Sequence, residues 1–320
     1  MVTRRHLIAT AAAACAAPAH AAGSFEAFLA GVRVDARRAG VSAATLDRAL
    51  SGLRPNAKVL ELDRYQPEFT MTWSHYRETR VSEQRITNGR SAWSRNRPTL
   101  QAVQARFGAS PQVVVGIWGL ESNYGTYTGG FNVVEALATL AWDGRRSSFF
   151  RPELIAALRI LEQGDVAFPR MLGSYAGAMG QPQFMPTSFE RLAVDFDGDG
   201  RRDIWDDTAD VLGSIGNYLA HAGWRAGEGW GEAVLLPAGF DTGLAGREAR
   251  RPLADWGRLG LRRLDGSPLP AAALAAGLVL PDGAAGDAFL AYPNFSAIRR
   301  YNPSDYYALA VGLLGDRVVA

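Results

Sequence analysis

Apolar positions recur at helical spacing along most of this chain. Phe25, Phe28, Leu29 and Val32 fall at i, i+3, i+4 and i+7, and Ser42 caps a second stretch carrying Leu46, Ala49 and Leu50, so 24–52 is predicted helical. Residues 53–97 are polar and arginine-rich around Trp73, Tyr76 and Trp93, a pattern expected of helices wrapped on a neighbour. Pro98 opens a helix with Leu100, Val103 and Phe107 on one face and Gly108 as its stop. Ser110-Pro111 starts another, and a third begins near Pro152, with Leu154, Ala157, Leu158 and Leu161 ahead of Gly164. Thr208–Ala222 and the stretch from Ser304 to the C-terminus complete the helices.

Between 231 and 293 the pattern changes. Short apolar runs (Ala233–Leu236, Leu278–Leu280, Ala288–Tyr292) sit among Gly, Pro and Asp and predict strands. Ala271–Leu280 is too short for a membrane helix, which takes about 20 residues, and reads as a core segment. The fold class is therefore mainly α (α+β). Its expected parts are an N-terminal helical region 22–97, a helical core 98–230, a small β-rich lobe 231–293, and a C-terminal helix 294–320 that rejoins the core.

Composition narrows the function classes. Apolar residues are 48% and charged residues 21%, values of a globular chain and not of a disordered one. The 34 basic and 32 acidic side chains nearly cancel, so the electrostatic footprint of a nucleic-acid binder is missing. Arg4-Arg5, an Ala-rich run to Pro18 and Ala19-His20-Ala21 form a signal peptide over 1–21, which places the chain in the periplasm. The arginine pair resembles a twin-arginine signal, with a general secretory signal as the alternative. Cleavage after Ala21 removes Cys15, the only cysteine, which excludes thiol catalysis and cysteine-ligated metals. Cleavage before Cys15 would instead expose a lipidatable cysteine and give an outer-membrane lipoprotein.

One carboxyl stands on an apolar face. In Pro111–Gly125, Val114, Ile117 and Trp118 are followed at i+7 by Glu121, while Gly116 and Gly119 leave another face bare for close approach. Desolvation disfavours an ionised carboxylate, so this Glu is expected to hold its proton to higher pH, as a general acid requires. An edge Glu paired with an arginine is the structural alternative.

The segment Gly116-Ile-Trp-Gly-Leu-Glu121-Ser-Asn-Tyr-Gly125 resembles the catalytic helix of the lytic murein transglycosylase B family, glycoside hydrolase family 103. Further segments match in order: Leu140–Arg146, Gly173–Gly180, Gln183–Phe189, and Tyr292-Pro-Asn-Phe to Tyr301-Asn-Pro-Ser304. The resemblance implies a lysozyme-like core and cleavage of the MurNAc–GlcNAc β-1,4 bond of peptidoglycan strands without water, giving 1,6-anhydro ends. Glu121 would act as acid and then as base, where a hydrolase normally needs two carboxyls. It also implies that Ser174 lies near the catalytic Glu, and that Gln183 and Asn302 hold sugar groups. Tyr76, Tyr218 and Tyr301 would line the cleft, and Arg145 and Arg146 would serve as groove cations. Gln181-Pro182 stands where some members have Tyr-Gly, and Thr187 where Ser is common. The expected enzyme is a monomer without an organic cofactor.

Asp195, Asp197, Asp199, Asp203 and Asp206 occupy positions 1, 3, 5, 9 and 12 of an EF-hand-like loop with Gly200 at 6. Position 7, Arg201, would contribute its carbonyl. Asp206 is shorter than the usual Glu, so weak calcium binding with a structural role is expected; the resemblance implies such a loop too. Two competing classes remain: a non-catalytic peptidoglycan-binding protein, and a hydrolysing muramidase on the same core.

Overall fold

Side-chain caps set most of the helix starts. Ser24, Ser42, Thr72, Ser82, Asn132, Asp207 and Ser304 each accept a hydrogen bond from a backbone N–H two or three residues on. The structure, a computed structural model, describes residues 23–64 and 71–320. The segment expected to be a signal peptide, with Arg4, Arg5 and Cys15, lies outside the described residues.

The helices are α1 (Phe25–Arg38), α2 (Ala43–Leu50), α3 (Ala57–Arg64), α4 (Trp73–Arg80), α5 (Glu83–Phe107), α6 (Pro111–Ser122), α7 (Val133–Asp143) and α8 (Ser147–Gln163). They continue with α9 (Pro186–Leu192), α10 (Thr208–His221), α11 (Leu253–Arg258), α12 (Pro293–Tyr301) and α13 (Asp305–Val319). Strands β1 (Phe131–Asn132), between α6 and α7, and β2 (Leu172–Gly173), between α8 and α9, form a short antiparallel ladder. The remaining strands are β3 (Gly231–Leu235), β4 (Gly246–Pro252), β5 (Arg262–Arg263), β6 (Ala275–Val279) and β7 (Ala288–Ala291). They make one antiparallel sheet in the order β4-β6-β7-β3-β5.

Helix α6 is the axis of the body. Val113 to Gly119 are all buried, and α5, α10 and α13 pack around them. Each fully buried Val or Ile contributes about 1.5–3 kcal/mol over leaving it exposed. Helix α13 runs antiparallel to α6, with Val311 over Gly116 and Gly315 over Gln112. A Cβ at Gly116 would stand 2.3 Å from the Val311 carbonyl oxygen, so only glycine permits this approach.

Strand β7 is covered on both faces, which explains its unbroken apolar run. Phe289 and Ala291 belong to the helical core, where Phe289 meets Trp73 edge-on at 5.7 Å; Ala288, Leu290 and Tyr292 pack with Trp256 and Leu278 in the lobe's own core.

Four details differ from the sequence reading. Pro98 does not open a helix; it lies inside the 25-residue α5, because Ile86, Gly89 and Ala92 before it and Leu100 and Val103 after it are buried along the same helix. Helix α8 begins at Ser147, so Pro152 is likewise internal. Ala271–Leu280 is only half core, since β6 begins at Ala275 and full burial at Ala276. Strand β4 gave no signal beforehand because Gly-Arg-Glu-Ala-Arg-Arg-Pro has no apolar alternation and is largely exposed.

Candidate active site

Glu121 sits in the last turn of α6, half-buried. The helix ends because Asn123 and Tyr124 take left-handed conformations, φ 48° and 59°. Asparagine tolerates that region, whereas a tyrosine there is strained. The strain is offset by burial of the ring, which stands edge-on to Trp118 at 5.5 Å and reaches the bare face at Gly119, where a Cβ would lie 2.6 Å from the phenol oxygen. That phenol is buried without a hydrogen-bond partner among the described residues, and burial pushes its pKa above the usual tyrosine range.

The Tyr307 hydroxyl, in the first turn of α13, donates to Glu121 Oε1 at 2.6 Å. Burial first, then the adjacent Glu121 and Tyr301, raise the Tyr307 pKa well above its ordinary value, so the phenol keeps its proton and stays a donor. Tyr301 stacks beside Tyr307 at 6.4 Å and is raised by the same causes, burial and then Glu121. Tyr218 meets Tyr301 at 4.5 Å, and Phe184 touches both rings. On the other side Tyr76 packs with Trp73 and Tyr306, close enough to raise the Tyr307 pKa further. A row of aromatic side chains thus flanks the carboxyl. Tyr307 was missed in the sequence because its relevance depends on the α6–α13 pairing; its stripe with Val311 and Gly315 was the only signal.

The polar residues named from the sequence are held by backbone groups. Tyr301 donates to the Pro182 carbonyl at 2.6 Å, and Gln183 Nε2 donates to the carbonyls of Thr128 and Gly180 at 3.0 and 2.8 Å. Ser174 Oγ accepts from the N–H groups of Ala176 and Ala178, closing its own turn. Asn302 ends α12 and accepts from the Ser304 N–H. Gln181 is buried and bridges the site: its Oε1 accepts from Trp118 Nε1 at 2.8 Å, and its Nε2 donates to the Trp205 carbonyl at 2.8 Å. The variant pair Gln181-Pro182 therefore ties α6 to the acidic loop and seats Tyr301.

Arg145 and Arg146, the expected groove cations, share one partner. Both guanidinium groups pair with Asp63, whose side chain is 3% exposed, and Arg146 also lies over the Phe150 ring at 4.7 Å. A buried carboxylate needs such partners, since leaving it uncompensated would cost several kcal/mol.

The acidic loop brings together a different group of carboxylates from the expected one. Carboxylate oxygens of Asp195, Asp197 and Asp210 lie within 4.8 Å of one another. Asp206 instead faces outward and pairs with Arg170, so it does not join them. The physical reason is Asp210 in α10, which accepts from the N–H groups of Phe196 and Asp203 at 2.7 Å each and so pulls both ends of the loop onto itself. Asp199 and Arg201 remain at the exposed rim, joined to each other. Asp195 accepts from Gly198 and Gly200, which holds the loop's turn. Burial, followed by the neighbouring Asp207 and Asp197 charges, raises the Asp210 pKa to about 6 despite two backbone donors. Hard oxygen donors crowded with uncompensated negative charge are what a divalent cation such as calcium fits. Arg202 leaves the loop for Asp165 and Gln163, which accounts for a basic residue at that position.

Comparison with known proteins places the chain in a family. Residues 24–316 match the transglycosylase SLT domain family. The chain is 34% identical over 261 residues to membrane-bound lytic murein transglycosylase B of Escherichia coli K12, covering 77% of this chain and 67% of that protein. SltB3 of Pseudomonas aeruginosa, solved with NAG-anhNAM-pentapeptide, superposes with a TM-score of 0.89 at 47% identity, over 93% of this chain and 80% of that one. The Escherichia coli lytic transglycosylase Slt35, solved with calcium, gives 0.76 at 30% identity over 92% of each chain. The mainly α, lysozyme-like architecture expected from the sequence holds, and the chain is an enzyme of the lytic transglycosylase type, a member of the transglycosylase SLT domain family.

Proposed function

We propose that this chain cleaves the MurNAc–GlcNAc β-1,4 bond of peptidoglycan strands without water, with Glu121 as the single acid and base. The observation that carries the assignment is the Tyr307–Glu121 hydrogen bond at the end of the buried α6, inside the aromatic row. Protonated Glu121 gives its proton to the bridging oxygen as the bond from the MurNAc anomeric carbon to that oxygen breaks. The carboxylate then takes the proton of the MurNAc 6-hydroxyl as that oxygen bonds to the anomeric carbon. Tyr307 orients the carboxyl; Tyr76, Tyr218 and Tyr301 line the sugar path, and Ser174, Gln183 and Asn302 supply polar edges. Mass spectrometry of digested murein tests the reading. Anhydro ends support it, reducing MurNAc ends would identify a hydrolysing muramidase, and binding without products would identify a non-catalytic module.

Two finer assignments belong to the same reading. Asp195, Asp197 and Asp210 hold a calcium ion that supplies a structural cross-link between the loop and α10. The chain acts in the periplasm after export, as a monomer, with the division into helical body and β lobe at 231–293. Among the described residues no helix is long and apolar enough to cross a membrane.

A further inference from the structure

A concavity of about 410 Å³ lies at the Tyr218 end of the aromatic row, lined by Arg191, Leu192, Tyr218, His221, Ala222 and Arg300. Its basic residues come from the last turns of α9, α10 and α12. Helix C-termini favour cations, which is how two arginines and a histidine gather there with no carboxylate in the lining. Among the described residues neither the Arg191 nor the Arg300 guanidinium has a hydrogen bond or ion pair; burial raises the pKa of Tyr218, and both arginines lie close enough to oppose that shift in part. Two full positive charges outweigh helix ends worth roughly half a charge each, so the pocket attracts anions.

Its position links it to the reaction. The Tyr218 hydroxyl donates to the Arg300 carbonyl at 2.5 Å, its ring contacts Tyr301, and Tyr301 lies against Tyr307, which holds Glu121. GlcNAc carries no charge, and the lactyl group of MurNAc carries none while it is amide-linked to a stem. The anionic groups a murein strand brings to this cleft are carboxylates, and a guanidinium fork matches a carboxylate in two parallel hydrogen bonds.

We propose that Arg191 and Arg300 form a subsite for a carboxylate of the substrate's peptide stem. This rests on the glycan-cleaving reading above, which it deepens by naming the part of the substrate that gives selectivity. His221, with Nδ1 against the Asn217 carbonyl, forms the outer wall.

The test measures KM for three murein preparations with the wild type, the Arg191→Ala and Arg300→Ala single variants, and the double variant. The preparations are strands with intact stems, strands whose carboxylates have been converted to methylamides with carbodiimide and methylamine, and strands stripped of stems by an amidase, which keep the lactyl carboxylate. The wild type should favour intact over methylamide strands by about tenfold in KM, and the double variant should lose that preference. Stripped strands should be insensitive to the substitutions. Equal effects on all three preparations, or no effect on intact strands, would overturn the subsite. Equal sensitivity of stripped and intact strands would assign the pocket to the lactyl carboxylate and overturn the stem assignment. The glycan-cleaving reading fails separately, through absent anhydro ends in the wild type. Cosedimentation of each variant with the same three preparations then still reads the pocket.

Discussion

The surroundings of Glu121 and of Asp195 solve opposite problems. Glu121 is held by residues remote in the chain: Tyr307 lies 186 positions away, and α13 reaches it only because Gly116 admits the Val311 carbonyl. The acidic loop is held mostly by itself, with Asp195, Asp197 and Asp199 each accepting from N–H groups two to five residues on. One site is rigid because it is packed; the other is folded locally but keeps unneutralised charge. On the proposed reading, a single acid–base carboxyl needs orientation, whereas a cation-holding loop needs converging charge that something else must complete.

That contrast can be broken at each end. The largest effect is expected for Glu121→Gln, which nearly preserves shape but removes the exchangeable proton; release of anhydro-muropeptides should fall by at least about a hundredfold while strand binding persists. Near-wild-type release would show that the packed site is not the reacting one.

Next is the loop. Excess calcium should stabilise the wild type by about 2.7 kcal/mol at a hundredfold excess over the dissociation constant, read as a Tm difference between calcium and chelator. Asp195→Ala and Asp210→Asn should abolish this difference, and Asp206→Asn should keep it. If Asp206→Asn loses it instead, the outward pairing with Arg170 does not describe the calcium-bound loop.

Gly116→Ala probes the packing itself. A methyl 2.3 Å from the Val311 oxygen must push α13 away, at a cost of about 1–3 kcal/mol, measurable by urea unfolding. Activity should fall along with stability, because the shift carries Tyr307 from Glu121.

The smallest effect is expected for Tyr307→Phe. Removing one hydroxyl donor to a carboxylate should lower kcat by about tenfold, with KM and Tm nearly unchanged. A fall in Tm with unchanged kcat would make the phenol a packing element only.

Much of this molecule was legible along the chain. The periodicity of α1, α2, α6, α10 and α13 and the caps at Ser42 and Ser304 are local, so sequence spacing reports them directly. Glu121 was visible because i+7 spacing placed it on an apolar stripe, and Asp195 and Asp197 because loop spacing is itself a local geometry. Pro98 and Pro152 misled, since tertiary burial on either side of each outweighs one lost backbone bond. Gln181 and Asp210 gave no local sign of their roles, and Tyr307 gave only its stripe with Val311 and Gly315. Their partners lie on other elements, and whether Tyr307 meets Glu121, Gln181 bridges Trp118 to Trp205, or Asp210 displaces Asp206 depends on how helices dock. Short-range spacing picked out the candidate residues Glu121, Asp195 and Asp197; close packing of distant segments decided what each of them touches, because side-chain contacts between elements have no period along the chain.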